Sequence, residues 1–302
     1  MLASYGGELA ALATAVLWSA TAVFFTYAGR EVGSVVVNRA RLLVALVFLV
    51  GTHWLLIGDP IPVGAEVERW GWLGVSGIVG LVGGDSFLFQ AYLWVGPRLG
   101  MLMMSLAPVL AALLAFAFLG EQLLIAEWIA ILITVSGIAL VVMDRGRSAE
   151  PKKVNLHYGR GILFGVAAAL GQAVGLVLAK QGLAGDFPAL SGNVMRMSSA
   201  AVFLWSLTLL SGRAPSTLRA LRGQRGALLP IIGGATTGPF IGVWLSLIAI
   251  QLTEVGIAST LMALSPIILL PVGRVVFKER IGWKAVAGTV VAVAGVGMLF
   301  LT

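Results

Sequence analysis

Ten apolar runs, each close to twenty residues long, dominate what this chain can fold into. They cover roughly 8–28, 34–57, 70–94, 98–119, 122–143, 159–181, 188–211, 227–250, 255–276 and 281–301. A bilayer core about 30 Å thick takes about 20 helical residues to cross. Inside it every backbone polar group needs a partner within the protein, which an α-helix supplies by itself. The breaks between runs carry turn or charge signals, among them Gly58-Asp59-Pro60, Gly96-Pro97-Arg98 and Gly212 to Arg225. Only 11% of the residues are charged and the mean hydropathy is +1.00, whereas a soluble domain carries about 25% charged residues. The predicted fold class is therefore an all-α integral membrane protein with ten transmembrane helices. The N-terminus lacks a basic stretch before its first apolar run, so that run is expected to stay as a helix. There is no cysteine, and the two histidines, His53 and His157, are far apart in sequence. Neither thiolate chemistry nor a metal or other cofactor is expected. No phosphate-binding loop is present to couple the chain to nucleotide hydrolysis.

The second constraint is an internal repeat. Met104, Pro108, Glu121 and Gly137 recur as Met262, Pro266, Glu279 and Gly295, each 158 residues later, and Gly80 and Gly84 recur as Gly238 and Gly242. The repeat divides the chain into a five-helix unit at 1–146, a linker at 147–158 and a second five-helix unit at 159–302. Five is odd, so the second unit enters the membrane in the opposite sense. Charge gives the orientation. With both termini extracytoplasmic, all but Arg69, Lys180 and Arg196 of the 20 basic residues fall on the cytoplasmic side. Matched loops differ in sign: Gly120-Glu121 and Glu127 correspond to Lys278-Glu279-Arg280 and Ala285. Shared packing residues with reversed loop charge are what two inverted repeats require. The net charge of +7 then reflects topology, and no nucleic-acid partner is expected. The expected location is the cytoplasmic membrane.

Few residues inside the runs carry chemistry. Asp85 is the one acid well inside a span. A buried carboxylate needs a proton, a ligand or a partner. It is a candidate for a substrate amine or a coupling proton, or for an ion pair with Arg98, Arg39 or Arg41. Phe89 and Tyr92 follow on the same helical face, and an acid above two rings suits a cationic ligand. The alternative for the rings is lipid contact or interface anchoring. Trp18 and Gln172 occupy corresponding positions in the two units and stand near mid-span with Thr237 and Trp244. Met104 and Met262 suit an adaptable binding wall or plain core filling. Pro108 and Pro266 sit mid-run and are expected to kink their helices, making candidate gate hinges. Gly80 and Gly84, with Gly238 and Gly242, form small-residue stripes that either pack helices closely or slide at a pseudo-twofold axis. Glu121 and Glu279 read as helix N-terminal caps. Arg39 and Arg196 read as snorkelling to the membrane surface.

Leu106-Ala107-Pro108, followed by Leu119-Gly120-Glu121 and Gly137, resembles the repeat signature of the drug/metabolite transporter superfamily in its ten-helix EamA-type branch. Leu264-Ser265-Pro266 with Glu279 and Gly295 resembles it again. The resemblance implies a carrier whose central cavity is lined mainly by the first, third, fourth, sixth, eighth and ninth helices. It implies small metabolites such as amino acids and their derivatives as substrates, often moved outward. The Asn-Tyr-Leu-Trp-Pro signature of aromatic-amino-acid exporters is not found; Ser105-Leu106-Ala107-Pro108 stands there. Sugar-phosphate carriers of the superfamily use intramembrane lysines and arginines, whereas the basic residues here read as helix-end residues. The expectation is a secondary transporter working by alternating access on amino acids or amine-bearing compounds, a monomer or weak homodimer in lipid, with proton coupling through Asp85 or none. A receptor or scaffold leaves the inverted duplication unexplained. An enzyme would need clustered acids, histidines or cysteines at membrane depth.

Overall fold

The computed structural model describes residues 5–119, 124–143, 157–185, 187–252, 261–278 and 281–301. Glu121, Glu279, Ser259 and nearly all of the linker lie outside them. The described chain is helical, with no strand among the described residues. Its helices are α1 (Gly6–Val32), α2 (Ser34–Ile57), α3 (Val67–Gly77), α4 (Asp85–Val95), α5 (Pro97–Met104), α6 (Leu106–Leu119), α7 (Ile125–Met143), α8 (Tyr158–Gly182), α9 (Ala189–Leu210), α10 (Ala214–Gly223), α11 (Leu228–Ala235), α12 (Ile241–Leu252), α13 (Ser265–Val275) and α14 (Trp283–Leu301). Seven stretches are long and apolar enough to cross a membrane. These are α1, α2, α7, α8, α9, the continuous span Val67–Val95 and the span Arg225–Ala249. The other three runs hold shorter apolar stretches, Pro97–Ala111, Ser265–Val275 and Trp283–Met298.

Two spans are not regular α-helices. α3 passes into α4 through a π-helical stretch, Ile78–Gly84, and α11 passes into α12 through another, Thr236–Phe240. The two stretches begin 158 residues apart, in the repeat register. A π turn inserts an extra residue and loosens the hydrogen-bond ladder at that point. Glycine favours such a departure in the first stretch (Gly80, Gly83, Gly84), and Pro239, which has no N–H to donate, enforces it in the second. Tight links are glycine-made. Single residues, Gly33 with φ 83° and Gly96 with φ 85°, connect α1 to α2 and α4 to α5, a left-handed backbone that side chains disfavour.

The prolines act differently from expectation. Pro108 and Pro266 do not kink continuous helices. The chain leaves the helix at Ser105 and at Leu264, and each proline lies in the first turn of the helix that follows. There its missing N–H costs nothing, because a first-turn N–H has no intrahelical acceptor. The break itself, three residues before Pro108 and two before Pro266, is the discontinuity.

Contacts between the two units come in matched pairs. α1 packs on α12, and α8 packs on α3, α4 and their π stretch. Within the first pair a β-carbon on Gly238 would lie 2.7 Å from Thr21, and one on Gly242 would lie 2.9 Å from Trp18. Within the second, Gly84 meets Gly171 at 2.9 Å on the same measure, and Gly80 meets Gly175. α2 lies on α9, α5 on α13 and α7 on α14. In the last pair Gly137 abuts Ala292 while Gly295 abuts Thr134, so each helix offers its glycine to the other's wall. With no hydrophobic driving force between helices in lipid, such close packing is what holds the bundle.

Buried clusters join the two units at both ends of the bundle. At the end bearing Arg30, Arg98, Arg222 and Arg274 one includes Phe25, Phe89, Tyr92, Met101, Ile231 and Leu269, and a second gathers Leu99, Met103, Val141 and Ala285. At the opposite end, among the described residues, one gathers Ala10, Ala11 and Ala249 with Met262, and another gathers Leu73, Ala179 and Met195.

Candidate functional site

The π stretches expose backbone carbonyls at membrane depth, and neighbouring helices answer them. Arg41 Nη2 of α2 donates to the Leu81 carbonyl at 2.9 Å, and Asn38 Nδ2 donates to the Val82 carbonyl at 3.4 Å. In the other unit Asn193 Nδ2 of α9 donates to the Pro239 carbonyl at 3.1 Å. Leu81 and Pro239 are again 158 residues apart. A carbonyl in hydrocarbon without a donor costs several kcal/mol, so each irregular stretch is tied to the helix beside it.

Asp85 follows directly on the first stretch. Its carboxylate accepts from Arg41 Nη2 in a buried ion pair, with side-chain exposures of 15% for Asp85 and 3% for Arg41. Arg41 Nε also donates to Asn38 Oδ1 at 2.9 Å, and Asn38 Nδ2 donates to Ser86 Oγ at 2.8 Å. The guanidinium carbon lies 4.9 Å from the Phe89 ring centre and 5.9 Å from that of Phe25. Tyr92 stacks on Phe89 with ring centres 6.0 Å apart and donates its hydroxyl to Met101 Sδ at 3.0 Å. The acid-above-rings arrangement is therefore present, and the cation it holds is the protein's own Arg41. Of the partners weighed for Asp85, Arg41 is the one in contact. Tyr92 is buried and is no interface anchor.

Arg39 and Arg196 do not snorkel. Arg39 is 7% exposed and its Nη1 donates to Thr217 Oγ1 at 2.7 Å. Arg196 is 3% exposed. Its backbone carbonyl packs on Gly77, and its Nη2 lies 3.7 Å from where a β-carbon on Gly80 would sit. Its Nε has no hydrogen-bond partner among the described residues. No ion pair joins Arg196 to Asp85 among the described residues. Basic groups thus do lie inside the bundle, against the reading that all of them stand at helix ends. The reason is local: glycines on α3 leave room for an arginine that its own helix cannot carry to the surface.

The remaining candidates divide among three places. Trp18 and Met104 are half-buried against the cluster that holds Phe89 and Tyr92. Gln172 is half-buried, its Oε1 3.7 Å from the β-carbon position of Gly80. Thr237 Oγ1 and Thr21 Oγ1 share a hydrogen bond of 2.8 Å across α1 and the second π stretch. Trp244 stands apart. It stacks on Phe240, 6.4 Å between ring centres, and packs on the apolar cluster of α2 and α9. Met262 is also apart, in the small cluster at the end away from the arginines. Gly80, Gly84, Gly238 and Gly242 are all buried between helices. A crevice of about 370 Å³ opens between the first π stretch and α8, lined only by apolar or glycine residues such as Val79, Phe87 and Leu170. Its lining suits an acyl chain better than a polar solute. No group of three or more metal-binding side chains exists among the described residues.

Sequence reasoning named Arg41 as one of three possible partners of Asp85 and passed over Asn38, Asn193, Phe25 and the π stretches themselves. The signal for the polar ones was depth: Arg41 and Arg196 each stand about two turns inside an apolar run. Nothing in the sequence announces a π turn directly.

The profile described as the EamA-like transporter family matches residues 5–143 and, a second time, residues 159–301. The chain belongs to the EamA-like transporter family. It is accordingly a multi-pass membrane protein of a family that transports small molecules, in line with the family resemblance carried by the two proline signatures. One crystal structure, described simply as that of a protein, aligns over 98% of this chain and 96% of its own with a TM-score of 0.65. At 18% identity the likeness is one of fold alone. Among curated proteins none matches this chain.

Proposed function

We propose that this EamA-like protein is a secondary carrier that moves small metabolites such as amino acids across the cytoplasmic membrane by alternating access. The observation that carries this reading is the pair of π stretches that begin 158 residues apart, each packed against a helix of the other unit. The matched contacts support two inverted units, 1–146 and 159–302 with a linker at 147–158, that rock about a shared axis. Both termini are extracytoplasmic on this reading, so the basic end faces the cytoplasm. The hinges are the two π stretches with Gly80, Gly84, Gly238 and Gly242, and the helix breaks that precede Pro108 and Pro266. Trp18, Asp85, Phe89, Tyr92, Met104 and Gln172 border the pathway, with Thr237, Trp244 and Met262 on the second unit's side. Proton coupling through Asp85 requires its pair with Arg41 to part during the cycle.

The chain has no cysteine, so single cysteines can be placed without background. Ile231→Cys and Leu269→Cys report on the basic end, Met262→Cys and Leu245→Cys on the other. In proteoliposomes that show counterflow of labelled amino acids, substrate should change thiol labelling at the two ends in opposite directions. Unchanged or parallel labelling, or no flux of any metabolite tested, would rule the mechanism out. Attack by impermeant reagent on Gly58→Cys from the extracytoplasmic face tests the orientation.

A further inference from the structure

Among the described residues the buried arginines outnumber the buried acid. Arg41 and Asp85 neutralise each other in contact. Arg39 donates from Nη1 to Thr217 near the basic end, while its Nε is without a partner among the described residues. Arg196 has no such hydroxyl. It is almost wholly buried, its Nε is likewise without a hydrogen-bond partner, and no carboxylate lies within ion-pair distance among the described residues. A buried guanidinium left unpaired is strongly unfavourable, so its persistence calls for a ligand.

The surroundings indicate where that ligand's polar group is met. A β-carbon on Gly80 would touch Arg196 Nη2 and Gln172 Oε1, each at 3.7 Å, and Gly175 Cα at 3.9 Å. A guanidinium and a carboxamide thus face one point between the first π stretch and α8, where both backbones are glycine. The Gln172 side chain is half-buried and makes no hydrogen bond among the described residues. Its amide can turn to present either nitrogen or oxygen. A fork of N–H donors beside an amide is suited to a planar carboxylate.

We propose that Arg196, with Gln172, forms the subsite for a carboxylate of the transported substrate, over Gly80. The assignment rests on the carrier reading above and narrows it. The recognised charge is negative, not an amine at Asp85, because the ring-backed acid is already filled by Arg41.

The test uses the purified full chain in detergent and matched compounds on one carbon skeleton: phenylalanine, phenylpropionate and phenethylamine, then alanine, propionate and ethylamine, with inorganic phosphate alongside. Tryptophan fluorescence and the thermal midpoint report binding. Members bearing a carboxylate should shift both signals saturably in at least one of the two sets, and the amines should not. Arg196→Gln should weaken that binding about tenfold or more, and Arg196→Lys should retain part of it. Without ligand, Arg196→Gln should unfold at or above the wild-type midpoint, because an unpaired buried charge is removed. A fall of several degrees makes Arg196 a structural partner and overturns the proposal. So does binding by the amines or phosphate alone, by no carboxylate in either set, or by Arg196→Gln as tightly as wild type. Counterflow of the same compounds separates the two proposals. Flux of amines alone leaves a carrier with another substrate charge, whereas Arg196-dependent carboxylate binding without flux keeps the subsite and removes the carrier.

Discussion

Replacing Asp85 by asparagine probes the centre of the site, because it keeps the shape of the side chain and removes only its charge. The partner left behind is Arg41, 3% exposed and still held by the Leu81 carbonyl, by Asn38 Oδ1 and by the faces of Phe25 and Phe89. Removing one member of a buried pair costs about 3–5 kcal/mol. The remaining hydrogen bonds and ring contacts offset part of that, and the introduced carboxamide still offers Arg41 a neutral acceptor. The expected loss is about 2–3 kcal/mol. The converse change, Arg41→Gln, strips the Leu81 carbonyl of its donor as well and should cost about 3–5 kcal/mol. Each kcal/mol moves the midpoint of a chain this large by about 2 °C, so Asp85→Asn should unfold about 4–6 °C below wild type. Thermal unfolding in detergent, followed by tryptophan fluorescence, measures this. The double variant should be less damaged than the sum of the two by about 2 kcal/mol, since neither charge is then left alone. Strict additivity, or an Asp85→Asn midpoint within a degree of wild type, would refute the reasoning that these two groups stabilise each other inside the bundle.

Other changes separate packing from chemistry. Gly77→Leu drives a side chain into the Arg196 backbone carbonyl and should prevent recovery of folded protein by size exclusion. Gly51→Ala, where nothing lies within 4 Å, should be neutral or gain about 0.5–1 kcal/mol. Gly80→Leu should drive its side chain against Arg196 and Gln172 and abolish transport, and full flux would remove the glycine stripe from the mechanism. Asn193→Leu frees the Pro239 carbonyl in the second π stretch and should lower the thermal midpoint by about 2–4 °C, from about 1–2 kcal/mol. Ser105→Ala removes a buried hydroxyl that has no hydrogen-bond partner among the described residues and should leave stability unchanged or raise it by up to about 1 kcal/mol; a clear loss would mean that the hydroxyl is satisfied in the membrane.

Much of the architecture was legible because membrane folding obeys few rules. Apolar length gave the helices, and the fixed offset of Pro108, Gly137 and Gly80 from their copies gave the duplication that the two family matches reproduce. The site was less legible. Asp85 was identified from its depth alone, but its partner was one of three arginines that sequence distance does not rank. Arg41 wins because the π stretch turns the Leu81 carbonyl and the Asp85 carboxylate toward the same point of α2. Arg196 was misread because snorkelling is the rule for an arginine in an outer third of a span. The rule yields where Gly77 and Gly80 let α3 lie directly on α9. The two prolines were read as kinks because both lie mid-run; the helices stop before them instead, which no count of apolar residues reveals.

By itself, then, the sequence determined that the chain is a helical membrane protein in two related units, with one interior acid and a basic end. Those properties follow from composition and spacing, to which lipid and charge respond locally. Only the tertiary structure decided that the acid is already paired, that its rings hold the protein's own cation, and that Arg196 is buried with no ion-pair partner among the described residues. These depend on helix-to-helix approach of a few ångströms, set by glycines and π turns, within one unit for Arg41 and Asp85 and across the two units for Arg196 and Gly77.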